Sequence, residues 1–283
     1  IEQLYDRKDV CAFRITSYMR LPQRSSRDPD HWARADRDEE LKISSVLVFY
    51  KDARYFDVST EVDNRVEDHR LRLLLPTGIP GGTYWASQAF AFVERKTGID
   101  FETSDWKETE KYEKSFEGIV LKRDQNGNGL AFLSGGGLHE CAGLDDRDGS
   151  IAVTLFRSFR TTFLTNGEPD GELQGKLHFR YRIQLLSKED SFADLVRSRD
   201  ALQTGVQFHS FPAKQGSPLL SGEPLLSHTG KDTAISVVKP PEDGQENCVI
   251  VRLVNYSGEM SPAKLQFVKQ PEKVYHADLL ERN

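Results

Sequence analysis

Glu61 and Asp63 stand two residues apart in the run Asp57-Val58-Ser59-Thr60-Glu61-Val62-Asp63. On a strand that spacing puts both carboxylates on one face, about 7 Å apart, a separation open to paired acid and base chemistry. Acidic residues alternating along a strand are also the ordinary solvent face of a half-buried sheet, and the pattern alone favours that plainer role. Asp124-x-Asn126-x-Asn128-Gly129 has the opening of a calcium loop, but Gly135 occupies the twelfth position, where a bidentate Glu is needed. The Asn-Gly pairs read instead as a hairpin turn. His139-Glu140 could open H-E-x-x-H, yet Gly143 replaces the second histidine, and Gly135-Gly136-Gly137 fails as a phosphate cradle because Glu140 stands where the last glycine belongs. The seven histidines (His31, His69, His139, His178, His209, His228, His276) show no spacing that puts two on one helix face. No G-x-S-x-G nucleophile turn is present. The chain by itself is therefore expected to hold no metal and no catalytic residue.

The elements that would position these residues are mostly strands. Val58, Thr60 and Val62 share one face of the run above, and Leu177, Phe179, Tyr181, Ile183 and Leu185 share one face of another, with His178, Arg180, Arg182 and Gln184 opposite. Residues 45–50, 71–75, 151–156 and 249–254 are short and mostly apolar, which predicts strands buried on both faces. Turn signals recur between them: Pro80-Gly81-Gly82, Asn126-Gly127, Asp148-Gly149, Asn166-Gly167 and Ser257-Gly258. A helix is predicted at Ser191–Leu202, with Ser191 as its cap. Many short strands and frequent turns place the chain in the all-β sandwich or barrel class. The expected organisation is a β domain over residues 1–212, a linker over 213–232 rich in Gly, Ser and Pro, and a small β domain over 233–283 packed on the first.

Bulk properties narrow the partners. The 283 residues carry 38 basic and 44 acidic side chains, a net charge of −6, which argues against a general affinity for nucleic acid or anionic membrane. No apolar run approaches the roughly 18 residues that a membrane helix needs. Three widely spaced cysteines, Cys11, Cys141 and Cys248, suit neither a disulfide framework nor a zinc site and point to reduced thiols in the cytoplasm.

One stretch is specific. Val62-Asp63-Asn64-Arg65-Val66-Glu67-Asp68-His69-Arg70-Leu71-Arg72, followed by Pro76-Thr77-Gly78, resembles the V-D-N-x-x-x-D-H-R-L-R … P-T-G signature of bacterial-type glycoside hydrolase family 38 α-mannosidases. The resemblance continues in order through Phe90-Ala91-Phe92-Val93-Glu94-Arg95, Gly137-Leu138-His139-Glu140, Ala152-Val153-Thr154-Leu155-Phe156-Arg157-Ser158, Lys239-Pro240-Pro241-Glu242-Asp243-Gly244 and Val251-Arg252-Leu253-Val254-Asn255.

The resemblance implies a galactose mutarotase-like β super-sandwich, entered after its usual first strands, with a small C-terminal β-sandwich segment. It implies the C-terminal β region of a retaining α-mannosidase that needs zinc or another divalent metal. Both the metal and the aspartate nucleophile would reside in an N-terminal catalytic domain that this chain does not include. That domain and an α-mannoside are the implied partners. The chain alone is expected to be inactive, to support the catalytic domain and to border the sugar cleft. Arg95 and Glu94 resemble a segment that supplies a substrate-side arginine in related enzymes, and Asp68, His69 and Arg70 are further candidates for sugar contact. Arginine suits sugar hydroxyls because its fork offers several fixed donors. The plainer role for Asp68-His69-Arg70 is an internal polar network holding two strands and a loop. Trp85 and Trp106 could stack on a sugar ring, although burial is the preferred role. A sandwich without its first strands would expose a strand edge, so self-association into a homo-oligomer is expected. The alternative is an independent carbohydrate-binding β-sandwich.

Overall fold

The computed structural model describes residues 1–26, 31, 33–99, 104–107, 110–160, 168–208, 210 and 224–282. His209, the turn at Asn166-Gly167 and residues 213–223 of the expected linker lie outside the described residues. The chain divides into two compact units, Ile1–Glu189 and Asp190–Asn283.

Thirteen strands build the first unit: β1 (Glu2–Arg7), β2 (Val10–Pro22), β3 (Asp38–Tyr50), β4 (Tyr55–Asn64), β5 (His69–Leu75), β6 (Thr83–Gln88), β7 (Ala91–Lys96), β8 (Lys114–Ser115), β9 (Ile119–Arg123), β10 (Gly129–Ser134), β11 (Glu140–Gly143), β12 (Ile151–Ser158) and β13 (Gly175–Leu186). They form a nine-stranded sheet of order β1-β2-β3-β4-β13-β10-β9-β6-β7 and a four-stranded sheet of order β5-β12-β11-β8. Leu41, Val58, Val62, Phe132, Tyr181 and Ile183 of the large sheet meet Leu71, Cys141, Ile151, Val153 and Phe156 of the small one in a single buried cluster. Two sheets sharing one apolar layer make a sandwich, as expected.

The period-two patterns translate directly. Val58 and Val62 are buried, and Thr60 between them bonds the Tyr181 hydroxyl at 3.0 Å. The alternation in β13 holds only to Tyr181: Arg182 and Gln184 are buried as well as Ile183, Leu185 is exposed and Leu186 is buried. Of the four runs predicted to be buried on both faces, residues 151–156 of β12 alone are buried throughout. Leu74 is 52% exposed, because β5 is an edge strand. Residues 45–49 are half-buried, and Val249 is exposed beside a strand with a single neighbour. The Asn-Gly segment is the expected hairpin between β9 and β10. Asp124 Oδ1 accepts from the Asn126 and Asn128 amides, and Gly127 takes φ +81°.

In the second unit, helix α1 (Phe192–Thr204) starts on a capping box in which Ser191 and Asp194 exchange side-chain to backbone bonds. Ala193, Leu195, Val196 and Leu202 are its buried residues. Four strands follow, β14 (Leu226–Thr229), β15 (Thr233–Lys239), β16 (Ile250–Asn255) and β17 (Lys264–Phe267), paired as β14-β17 and β15-β16. All three cysteines are free. No helix among the described residues is long and apolar enough to cross a membrane.

Candidate functional site

The stretch Val62–Arg72 carries the chain from the large sheet to the small one, since β4 belongs to the first and β5 to the second. Asn64, fully buried, turns the chain by accepting from the Val66 amide at 3.1 Å. Asp68 then adopts φ +53°, a left-handed conformation that Asp tolerates better than most residues.

Asp68 ties separate segments together. Its carboxylate accepts from the Ser25 amide at 3.1 Å and the Arg160 amide at 3.2 Å. Its own amide donates to Glu172 at 3.3 Å, and its carbonyl accepts from Arg34 Nη1 at 2.6 Å. Burial alone would raise the Asp68 pKa, but the Ser25 and Arg160 bonds outweigh it and hold the group below its ordinary value. Glu172 behaves oppositely. Burial and the neighbouring Asp68 charge push it up, against the Ser158 hydroxyl that donates to it at 2.5 Å.

Asp68, His69 and Arg70 line one depression of about 490 Å³, together with Ser25, Arg34, Arg157 and Ser158. His69 lies edge-on against Phe156, with ring centroids 5.2 Å apart, and among the described residues neither ring nitrogen has a hydrogen-bond partner. Burial lowers its pKa, while the nearby Glu67 and Val66 carbonyls and the Asp68 charge pull the other way. Arg70 reaches across the outer face of the small sheet to Glu113 at 2.7 Å and Glu140 at 3.5 Å. Arg72 joins Glu113 at 3.2 Å, and Arg157 joins Glu140 at 2.6 Å. Burial opposes ionisation of Glu113, yet its own backbone and the two arginines hold its pKa below the ordinary value.

Glu94 and Arg95 lie elsewhere, beyond the opposite edge of the small sheet. Glu94 is exposed and accepts from the Thr83 hydroxyl at 2.7 Å. Arg95 Nη2 donates to the Ser115 carbonyl at 2.8 Å, which joins edge strand β7 of the large sheet to edge strand β8 of the small one. Arg95 Nη1 is enclosed and has no hydrogen-bond partner among the described residues. Trp85 is half-buried, and Trp106 is 55% exposed.

Spacing along the chain did not reveal Glu113, Glu140, Arg157 and Glu172 as partners of the trio. Glu140 and Arg157 lay inside family-like motifs, and a charged residue within an otherwise apolar motif was the available signal. One acidic cluster, Glu67, Asp68 and Glu172, brings ligand atoms within 4.8 Å of one another. Its donors are all carboxylates, unlike the Cys and His of structural zinc sites; both Asp68 oxygens and Glu172 Oε2 already accept hydrogen bonds, while Glu172 Oε1 has no partner among the described residues.

Residues 233–283 match the model of the glycosyl hydrolases family 38 C-terminal beta sandwich domain. The chain fits the C-terminal region of a family 38 protein. It is 30% identical over 131 residues to a Halalkalibacterium halodurans protein named "Putative mannosylglycerate hydrolase", a match covering 46% of this chain and 14% of that one. Its fold superposes on an α-mannosidase from Enterococcus faecalis V583 with a TM-score of 0.79 and 22% identity, covering 95% of this chain and 31% of that one. A family 38 protein from Enterococcus faecalis superposes with a TM-score of 0.78 and 21% identity, covering 99% and 33%. The chain thus spans about a third of the length of these family 38 structures.

Proposed function

We propose that this chain is the non-catalytic C-terminal β region of a retaining α-mannosidase. In this reading it completes the fold around a zinc-dependent or other divalent-metal catalytic domain of the same protein. Its Asp68–Arg70 depression borders the cleft that takes an α-mannoside. The observation that carries the reading is the likeness of nearly the whole chain to a third of an α-mannosidase. The depression adds support. Its lining carries three guanidinium groups, from Arg34, Arg70 and Arg157, against the single Asp68 carboxylate, and those groups retain donors that could face sugar hydroxyls.

The test is hydrolysis of 4-nitrophenyl α-D-mannoside by the chain alone and by the chain joined to the protein segment encoded upstream, each with added zinc. Turnover is expected from the joined protein alone. In that protein Arg34→Ala is expected to raise KM with little effect on kcat. Turnover by the isolated chain would overturn the reading.

A further inference from the structure

The large sheet has a second depression, of about 550 Å³, which shares no residue with the Asp68–Arg70 one. It lies on the side of β4 opposite the buried Val58 and Val62, so it faces away from the sandwich core. Strand register builds it. Thr16 stands opposite Ser44, Ser44 opposite Glu61, and Glu61 opposite His178. Two residues along, on the same face, Tyr18 stands opposite Lys42 and Lys42 opposite Asp63. In the row on the other side, Arg14 stands opposite Val46 and Val46 opposite Ser59. Directly opposed side chains on one face are about 5 Å apart. The short Thr16, Ser44, Val46 and Ser59 side chains therefore make a floor, and longer polar side chains make a rim around it. A merely solvated strand face would carry long side chains across its middle as well.

The rim's charges balance. Arg14 and Lys42 are cationic, Glu2, Glu61 and Asp63 are anionic, and Arg65 beside the rim, paired with Asp63 at 3.0 Å, supplies the third positive charge. Arg14 pairs with Glu2 at 2.9 Å, and His178 approaches Glu61 at 3.7 Å with both side chains about half exposed. Among the described residues, the Lys42 ammonium and the Tyr18 hydroxyl have no side-chain partner. Tyr18 is 60% exposed. Balanced charge selects against a strongly charged ligand of either sign. Closely spaced donors and acceptors suit a group that both donates and accepts, as a hydroxyl does. An exposed aromatic face suits the apolar side of a sugar ring.

We propose that this face binds a neutral pyranose unit, a second carbohydrate site separate from the Asp68–Arg70 depression. Tyr18 lies against the ring, Glu61 and Asp63 accept from its hydroxyls, and Lys42 and Arg14 donate to them. The volume is within the range of small-ligand pockets. The proposal is independent of the function proposed above, because it requires neither a catalytic domain nor a metal.

The test is titration of the ¹⁵N-labelled 283-residue chain with methyl α-D-mannopyranoside and, separately, methyl β-D-glucopyranoside. Amide shifts on β2, β3, β4 and β13, separate from any at the Asp68–Arg70 depression and with millimolar affinity for at least one glycoside, are expected. Tyr18→Ala should weaken binding about tenfold through loss of the stacking surface, Tyr18→Phe should retain it, and Arg34→Ala in the other depression should leave it unchanged. Because Tyr18 is exposed, these variants should keep the parent's dispersed spectrum. The proposal is overturned by an absence of shifts on those strands with both glycosides, or by an affinity that Tyr18→Ala leaves unchanged. Loss of turnover in the joined enzyme with intact binding here would strike the proposed function and leave this site standing.

Discussion

Arg157 meets one oxygen of Glu140 twice, through Nε at 3.1 Å and Nη2 at 2.6 Å. The other oxygen accepts from Thr154 at 2.5 Å and faces Arg70 at 3.5 Å. Three sequence motifs, through Arg157, Glu140 and the pair Arg70 and Arg72, thus converge on one charged network over the outer face of the small sheet. Glu140 is its hub. Glu140→Ala is expected to lower stability by about 1 kcal/mol, since it strips partners from two arginines at a partly exposed site. Arg157→Ala should cost less, because that side chain is more exposed. Urea midpoints for the two variants test the order, and equal or reversed losses would contradict it.

Asp68 offers a sharper contrast. Asp68→Ala removes the acceptor for two backbone amides and puts a residue without a compensating side chain at φ +53°. A loss of about 2–3 kcal/mol is expected from the unpaired amides and the strained backbone. Asp68→Asn keeps one acceptor and tolerates the left-handed conformation, so its loss should be about half as large. Chemical denaturation of both variants checks this.

The neighbouring carboxylates Asp68 and Glu172 make stability depend on pH with opposite signs. Asp68 has its folded pKa lowered below 3.8, so its contribution is present above that value and fades as pH falls through the folded pKa. Glu172 has its folded pKa raised above 4.5, so stability declines as pH rises from that value through the folded pKa. Glu172→Gln should therefore gain on the parent as pH rises from below 4.5 to neutrality. Thermal midpoints measured across that interval test the sign, and a constant difference would remove the assigned cause.

The cysteines should react in order of exposure. Cys248 is exposed, whereas Cys141 is buried and its pKa is pushed up to about 12 by desolvation. Iodoacetamide should label Cys248 in the folded protein and Cys141 only after unfolding, as peptide mass spectrometry would show. Labelling of Cys141 without denaturant would contradict its placement between the sheets.

Much of the fold was legible because its causes are local. The alternation over 57–63 and 177–184 is visible in the residues themselves, and so is the Ser191 cap, whereas the Asp194 half of the capping box appears only in the structure. Each depends on neighbours within a few positions. The family motifs likewise marked Asp68, His69 and Arg70 as residues to place. Burial on both faces was read correctly for residues 151–156 and not for 71–75, since an apolar run does not reveal whether its strand ends up central or at an edge.

The amino-acid sequence by itself determined an all-β chain, its helix cap, its hairpin turns and a likeness to family 38. Tertiary structure alone decided which charges meet. Arg70 finds Glu113 and Glu140 because the order β5-β12-β11-β8 brings distant segments side by side. Arg95 finds the Ser115 carbonyl because the edges of two sheets come together. Glu61 and Asp63, legible from the start as two carboxylates on one face, acquire Tyr18, Lys42 and His178 as neighbours only through strand register. Spacing along one strand sets which face a side chain takes, whereas its partners depend on sheet order and register, which are set by long-range packing.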